Sequence, residues 1–299
     1  MNKLPGTASK ALSVAVPAAD LVGESPVWST REQALYWVDV EGKCVRRLDR
    51  DGHTHARWSM PEAIGSIGLR CNGGLVGATR IGFVFLDTTS GKVTALTDPE
   101  ADLPGNRFND GKVDRAGRFW AGTKNLANNA QPTGSLYRLD ADLRAHRVTG
   151  GISCANGIAW SPDNRTMYLC DTWVRRIYRF EFDLAAGLVG QRSLFAELAE
   201  SEGFPDGLTV DAEGFIWNAH YDGCRITRYA PDGAIVQVLR MPVRHVTSLA
   251  FGGADLRTLY VTSASMRLSA EERQSQPLAG HVLAIEPGVA GLPEPCFAG

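Results

Sequence analysis

The stretch CANGIAWSPDNRTMYLCDTWVRRIYRFEFD (residues 154–183) contains three strand-like segments in a row. A short polar residue, Asn156, leads directly into the first segment, and the second and third are rich in aromatic and β-branched residues, which are typical of β-strands. Between the first two segments, Ser-Pro-Asp-Asn at 161–164 supplies the backbone angles of a hairpin turn. The stretch therefore predicts a small antiparallel sheet.

Five other stretches repeat this order of segments. Positions equivalent to Asn156 fall at 24, 65, 110, 206 and 247, and a fourth, more variable strand follows in most repeats. A recurrence at about 40 to 50 residues with almost no helical periodicity is typical of a β-propeller. The last repeat lacks an obvious fourth strand, and the segment 11–17 can supply one that closes the ring.

The repeats predict one all-β domain over residues 1–299. It is a six-bladed β-propeller with four antiparallel strands per blade, closed by joining the N- and C-terminal segments, with residues 1–10 as a loose N-terminal segment. The rival architecture, a pair of β-sandwiches, requires a linker near the middle, and the sequence shows no Pro/Gly/Ser-rich or charged gap there.

Charge and composition restrict the partners. The net charge is −2, from 31 basic and 33 acidic residues, which argues against nucleic acid or an anionic membrane surface. No segment approaches the roughly 20 apolar residues of a membrane span. The six cysteines are spread without a CxxC pair and are expected to be reduced, mostly buried thiols. We expect a cytoplasmic monomer that acts on a small molecule.

The repeat frame predicts a cation site. The first strand of each propeller blade lines the central channel, so Glu24, Asn156 and Asp206 should face one point on the axis. Two carboxylates and one amide are hard ligands suited to Ca²⁺, Mg²⁺ or Mn²⁺. Single Asp and Asn residues at strand starts often only cap turns, so the prediction rests on their joint occurrence; Asp110 and Asp114 are assigned structural roles.

Other catalytic constellations are weakly supported. No GxSxG nucleophile elbow is present, since Ser25 of GESP lacks its strand-turn-helix context, and no GxxxxGK[ST] phosphate loop is present. The histidines show no metal-ligand spacing, and His220 and His245 are expected to have core or surface roles. A metal-assisted reaction is favoured over a covalent one.

Five segments together resemble the senescence marker protein/gluconolactonase (regucalcin-like) family of sugar lactonases. They are GESPVW (23–28), RFNDGKVDRAGRFWAGT (107–123), CANGIAWSPDNRTMY (154–168), FPDGLTVDAEGFIW (204–217) and QPLAGHVLAIEPGVAGL (276–292). The resemblance extends from about residue 20 to the C-terminus. It implies a six-bladed propeller that carries one divalent cation and hydrolyses sugar lactones to aldonic acids.

The family motifs assign roles to individual residues. The resemblance implies that Glu24, Asn156 and Asp206 bind the metal, that Arg107 and Asn109 bind the substrate, and that Asp206 is also the catalytic general base. Ca²⁺ is the first expectation for the ion, with Mg²⁺, Mn²⁺, Zn²⁺ or Fe²⁺ as alternatives.

One position departs from the family pattern. Mammalian members have an acidic residue that holds a sugar hydroxyl where this chain has Ala127. Asn125, Asn128 or Asn129 are possible substitutes, so the identity of the sugar is left open.

The function predicted is divalent-metal-dependent hydrolysis of an aldonolactone such as an arabinono-, xylono-, galactono- or gluconolactone. The polar loop 124–133 favours a sugar. One alternative is a metal-dependent esterase or phosphotriesterase that uses the same site. The other is a non-catalytic propeller that only binds a cation.

Overall fold

Six four-stranded antiparallel sheets surround a central axis in a computed structural model of the chain, which describes residues 12–52, 54–129 and 131–299. The predicted six-bladed β-propeller is confirmed. The predicted loose segment 1–10 lies outside the described residues.

Each blade runs outward from its innermost strand in chain order. The first three blades are β2 (Gly23–Ser29), β3 (Ala34–Asp39), β4 (Cys44–Asp49) and β5 (Thr54–Ser59); β6 (Ile64–Leu69), β7 (Leu75–Thr79), β8 (Gly82–Leu86) and β9 (Val93–Ala95); and β10 (Asn106–Val113), β11 (Phe119–Asn125), β12 (Gly134–Leu139) and β13 (Ala145–Ile152). The next two are β14 (Ala155–Trp160), β15 (Thr166–Asp171), β16 (Arg176–Asp183) and β17 (Leu188–Glu197); and β18 (Phe204–Val210), β19 (Ile216–Tyr221), β20 (Arg225–Tyr229) and β21 (Ile235–Arg240).

The sixth blade combines both ends of the chain. It contains β22 (Val246–Gly252), β23 (Thr258–Ser263), β24 (Val282–Ile285) and, as its outermost strand, β1 (Leu12–Val16). Val14 pairs with Leu283 in an antiparallel register. The closing strand predicted at 11–17 is therefore present, and closure leaves few open sheet edges.

The hydrophobic core is divided among the spaces between neighbouring blades. One cluster of buried side chains fills each of the six interfaces, including the one between blades six and one. Trp37, Trp120 and Trp217, all from second strands, are fully buried. Truncating a buried tryptophan to alanine typically costs about 3–5 kcal/mol, so these interfaces hold the ring rigidly.

A β-bulge interrupts the innermost strand of every blade at an equivalent place. The shifts in register fall between Glu24/Val27, Ile64/Ser66, Phe108/Gly111, Asn156/Ile158, Pro205/Leu208 and Val246/Leu249. A bulge inserts an extra residue and redirects the side chains beside it. The repeat frame seen in the sequence is therefore a ring of bulges around the axis.

Helical structure is short within the described part of the chain. It comprises α1 (Ala270–Ser275) and single 3₁₀ turns at Thr172–Val174 and Glu200–Glu202, in line with the near absence of helical periodicity in the sequence. None of these helices is long and apolar enough to cross a membrane.

The C-terminal tail corrects the prediction for the cysteines. Phe297 is completely buried between blades two and three, and Cys296 forms a disulfide with Cys71. The expectation of reduced thiols is wrong for this pair, because 225 residues separate the two positions and no spacing pattern reveals that the tail returns to blade two. Cys44, Cys154 and Cys170 are buried free thiols, as expected, and Cys224 is an exposed one.

Candidate active site

A cavity opens where the innermost strands begin. It encloses about 830 Å³, part of it open to solvent. All five residues singled out in the sequence line it: Glu24, Arg107, Asn109, Asn156 and Asp206. The tail covers the opposite end of the channel, where Glu294 and Pro295 lie against the ends of the same strands.

Glu24 is positioned by the bulge of blade one. The following residue, Ser25, has a left-handed backbone with φ of 46°, and its amide donates to the Glu24 carboxylate at 2.9 Å. The carboxylate is buried, and burial followed by repulsion from Asp206 and Asp110 raises the pKa of Glu24 well above its usual range. Within the described part of the chain this carboxylate forms no salt bridge, and Lys124 opposes the rise in its pKa only slightly.

Asp206 occupies the matching place in blade five. It is 5% exposed, and its Oδ1 atom is buried without a hydrogen-bond partner among the described residues. Burial and the neighbouring Asp110 raise the pKa of Asp206 well above its usual range, opposed by Lys124, the Gly207 amide and a hydrogen bond with Asn156. A buried carboxylate oxygen without a partner is costly, so the site has unused capacity to bind a cation or a proton.

Asn156 is held by a hydrogen-bond chain between blades. Its amide donates to Thr172 Oγ1 at 3.0 Å, and Thr172 in turn donates to the Pro205 carbonyl at 2.9 Å. Next to it, Gly157 has φ of 38°, and a Cβ atom there would lie 2.5 Å from the Asp206 carbonyl oxygen. Glycine at this position lets blades four and five approach closely and brings Asn156 beside Asp206.

Asn109 and Arg107 lie on β10, in blade three. The Asn109 amide nitrogen donates to Asn156 Oδ1 at 3.1 Å and to the Ala155 carbonyl at 3.0 Å, which fixes the side chain. Arg107 is buried, and its Nη2 atom lies 3.9 Å from Glu41 Oε1 at the edge of the cavity.

Asp114 and Asp110 have different environments. Asp114 is fully buried and accepts hydrogen bonds from Trp120 Nε1 at 2.8 Å and from Arg118 Nε at 2.7 Å, which confirms its structural role. Asp110 instead lies in the same bulge ring as Glu24 and Asp206, and burial raises the pKa of Asp110 to about 6. The structural role predicted for Asp110 thus overlooked its place beside the two cavity carboxylates.

The cavity residues fit a hard cation. Two buried carboxylates that repel one another, one of them with an unpartnered oxygen, lie beside an amide, and oxygen donors of this kind suit Ca²⁺, Mg²⁺ or Mn²⁺. Within residues 12–52, 54–129 and 131–299, no group of three or more His, Cys, Asp and Glu side chains is placed to hold a metal ion. A cation here would therefore need the Asn156 oxygen as well as the two acids.

Several lining residues escaped the sequence-based prediction. They include Lys124, Thr172, Trp173, Tyr221 and Arg267. Lys124 pairs across the sheet with Arg107. The pairing of the strand that contains RFND (107–110) with the strand that contains AGT (121–123) was therefore the signal that could have identified Lys124. Trp173, in the 3₁₀ turn after β15, presents an aromatic side chain to the cavity and packs against Phe204 with 5.2 Å between ring centroids.

The loop around Ala127 places asparagine side chains near the cavity. Asn125 and Asn129 line it, whereas Ala127 does not. The Asn125 side chain is engaged with the loop itself, because its Oδ1 accepts from the amides of Ala127 at 2.8 Å and Asn128 at 2.9 Å. Asn129 is therefore the better candidate among the three proposed substitutes.

The two candidate histidines lie in the interior. His220 is fully buried and contacts the Glu202 carbonyl through Nδ1 at 2.9 Å, and burial lowers the pKa of His220 to about 4. His245 stacks on Tyr221, with 4.4 Å between ring centroids. Neither lines the cavity, in line with the core roles expected.

The protein-family model for the SMP-30/Gluconolactonase/LRE-like region matches residues 22–265, which include all five predicted site residues.

Individual relatives match over nearly the whole chain. A 6-deoxy-6-sulfogluconolactonase from Pseudomonas putida is 42% identical over 293 residues, covering 97% of this chain and 100% of that protein. Regucalcin from Gallus gallus is 37% identical, covering 93% of this chain and 95% of its own length. A crystal structure of a calcium-binding protein, regucalcin, from Agrobacterium tumefaciens superposes with a TM-score of 0.91 at 29% identity, covering 96% of this chain and 97% of that one.

Proposed function

This chain belongs to the SMP-30/gluconolactonase/LRE-like family, and from that premise we propose that it hydrolyses a sugar lactone to the aldonic acid with one divalent cation. The observation that carries the proposal is the cavity lined by Glu24, Asn156 and Asp206, in which Asp206 Oδ1 is buried without a partner. The 42% identity to a sulfogluconolactonase supports a lactone as the substrate.

Glu24, Asn156 and Asp206 are the residues that would hold the cation. Ca²⁺ is the first candidate because all three supply oxygen donors, and similarity to regucalcins, one described as calcium-binding, supports it. When bound, a divalent cation polarises a carbonyl group and stabilises the negative charge that develops on its oxygen. It would also neutralise the repulsion between the two acids.

Asp206 is proposed as the general base. Because a carboxylate bound directly to a cation is a weak base, Asp206 must be only loosely bound to the cation to act in this way. It accepts a proton from water as the water oxygen bonds to the lactone carbonyl carbon. The bond between that carbon and the ring oxygen then breaks, and the ring oxygen takes up a proton to become the hydroxyl group of the aldonic acid.

Arg107 and Asn109 are proposed to orient the lactone. Because the Asn109 amide nitrogen already donates to Asn156 and Ala155, its Oδ1 atom can accept from a sugar hydroxyl. Arg107 carries several donors on one rigid group, and its nearest acid, Glu41, is 3.9 Å away and half exposed. The side chain can therefore donate to the oxygens of a bound lactone.

A panel of aldonolactones followed by pH-stat tests the proposal. Protein treated with EDTA should be inactive and should recover when Ca²⁺, Mg²⁺, Mn²⁺, Zn²⁺ or Fe²⁺ is added back. Glu24→Gln should abolish turnover, whereas Asp232→Asn, in an exposed turn, should not. Turnover by Glu24→Gln at the unmodified rate would contradict the proposal.

A second candidate uses the same cavity on different acyl or phosphoryl groups. Leu126, Trp173 and Met266 give part of the lining an apolar character, which suits an esterase or phosphotriesterase. Including an aryl ester and a phosphotriester in the panel separates the two functions, because a sugar lactonase should prefer the aldonolactones.

The remaining expectations concern assembly and location. We propose that the chain acts as a cytoplasmic monomer on a small-molecule lactone, without nucleic acid or membrane partners. Light scattering coupled to gel filtration tests the monomer, and a mass of twice the 32.3 kDa of the chain would contradict it.

A further inference from the structure

Lys124 is the only lysine among the described residues that line the cavity. Its backbone is fixed from two sides, because it pairs with Arg107 within blade three and forms an isolated bridge with Cys154 at the start of blade four. Lys124 therefore lies on rigid sheet structure, and its position is determined by the junction of two blades.

The Lys124 ammonium group has no close counter-charge. Among the described residues it forms no salt bridge, and burial followed by the nearby charge of Arg107 lowers the pKa of Lys124, an effect that Asp206 and Glu24 oppose. Burial raises the pKa of the Cys154 thiol to about 11, so this neighbour stays neutral. A partly buried cation without a partner is unfavourable.

A bound divalent cation would leave the positive charge of Lys124 with even less compensation from acidic side chains. Glu24 and Asp206 would then be committed to the cation, and Glu41, the remaining acid in the lining, lies nearest to Arg107. Arg267, exposed at the rim, also forms no salt bridge with any described residue. Two positive side chains would therefore face the substrate without an acidic partner.

We infer that Lys124, assisted by Arg267, binds an acidic substituent of the lactone, so that the preferred substrate is an aldonolactone bearing a sulfonate, phosphate or carboxylate group. The inference rests on the proposed lactonase function. A neutral sugar offers an ammonium ion only uncharged hydroxyl acceptors, whereas an anionic group adds the attraction of an opposite charge to the hydrogen bond.

The test compares lactones that differ in one substituent. We would measure kcat/KM for D-gluconolactone and for its 6-phospho, 6-deoxy-6-sulfo and 6-carboxy counterparts. The unmodified protein should prefer at least one acidic lactone. The three acidic arms separate sulfonate, phosphate and carboxylate as the group recognised.

Lys124→Met removes the charge and keeps the length of the side chain. We expect the ratio of kcat/KM for the acidic over the neutral lactone to fall about 10- to 150-fold, the range for a hydrogen bond to a charged group. Lys124→Arg should restore part of the ratio. Lys92→Met, which removes an exposed lysine outside the cavity, should leave the ratio unchanged; if Lys124→Met fails to fold, Lys124→Gln takes its place.

The outcomes separate the inference from the function on which it rests. If the unmodified protein hydrolyses no lactone, the proposed function is wrong. If it hydrolyses neutral lactones as well as or better than the acidic ones, only the inference is overturned. An equal loss on both substrates in Lys124→Met would also overturn it, because the residue would then act on the reaction rather than on substrate selection.

Discussion

Asp206 and Asp211 lie at the two ends of the same inner strand of blade five, and both are buried. Asp211 is fully partnered: Oδ2 accepts from Trp217 Nε1 at 2.9 Å and from Arg228 Nη2 at 2.6 Å, and Oδ1 accepts from two turn amides. Asp206, at the cavity end, has an oxygen with no partner.

Blade three repeats this contrast. Asp114 accepts from Arg118 and Trp120, whereas Asp110 accepts from the amide of Gly111 and lies beside the carboxylates of Glu24 and Asp206. A buried carboxylate paired with a guanidinium and an indole stabilises the fold, and leaving such a partner unpaired is strongly destabilising. Buried carboxylates gathered without a cationic partner reduce stability, which is a cost typical of functional sites.

Removing the acid at the cavity end should have the largest effect. Asp206→Asn keeps the shape of the side chain but removes the proposed base, so kcat/KM for the lactone should fall about 10³- to 10⁴-fold, the upper part of the range for general acid–base catalysis. The free energy of unfolding in EDTA should be unchanged or increased, because a repelling charge is lost. Steady-state kinetics and urea denaturation measure the two effects; a stable variant with full activity would contradict the assignment.

Removing the acid at the other end of the strand should lower stability and leave activity intact. Asp211→Ala leaves the Arg228 guanidinium and Trp217 indole without their partner, so the free energy of unfolding should fall by about 3–5 kcal/mol. The folded fraction should keep its lactonase activity. Urea denaturation followed by tryptophan fluorescence measures the loss. A stable but inactive variant would show that Asp211 serves the reaction rather than the fold.

The pH dependence of stability should reveal the burial of Asp110. Burial raises the pKa of Asp110 to about 6 from 3.8, so the folded state holds this proton more tightly than the unfolded chain. Its contribution to stability is complete below about pH 4 and is lost as the pH rises through about 6, a change of about 3 kcal/mol. Asp110→Asn in EDTA should lose this part of the pH dependence; a variant with the slope of the unmodified protein would contradict the account.

Cation binding should stabilise the protein through the acid at the cavity end of the strand alone. Ca²⁺ at a hundred times its dissociation constant should add about 2.7 kcal/mol to the free energy of unfolding. Asp206→Asn should lose this increment, and Asp211→Asn should retain it. Thermal unfolding with and without EDTA measures the shift, and an equal shift in both variants would place the cation elsewhere.

Much of the fold was predictable because the information is local. Turn residues such as Ser161-Pro162-Asp163-Asn164 and alternation within short strands recur in each repeat, so hairpins follow from neighbouring residues. The ring then places Glu24, Asn156 and Asp206 in one cavity, because equivalent positions in a closed array face the same axis.

The features that were missed depend on contacts between distant segments. The Cys71–Cys296 disulfide requires the path of the tail, and the position of Lys124 requires the register of β10 with β11 and the approach of blade four. Neither the spacing of the two cysteines nor that of Lys124 encodes such proximities. Asp110 is a different case: it occupies the repeat position equivalent to Glu24 and Asp206, so the repeat frame already implied its place beside them.

The most direct test is a crystal of the protein soaked in Mn²⁺, with the ion located by its anomalous scattering. The account predicts one strong peak at the cavity end of the strands, coordinated by oxygens of Glu24, Asn156 and Asp206, and no peak at Asp114 or Asp211. A peak at another place, or none in crystals of protein that is active with Mn²⁺, would contradict the claim that the unpartnered acids form the cation site.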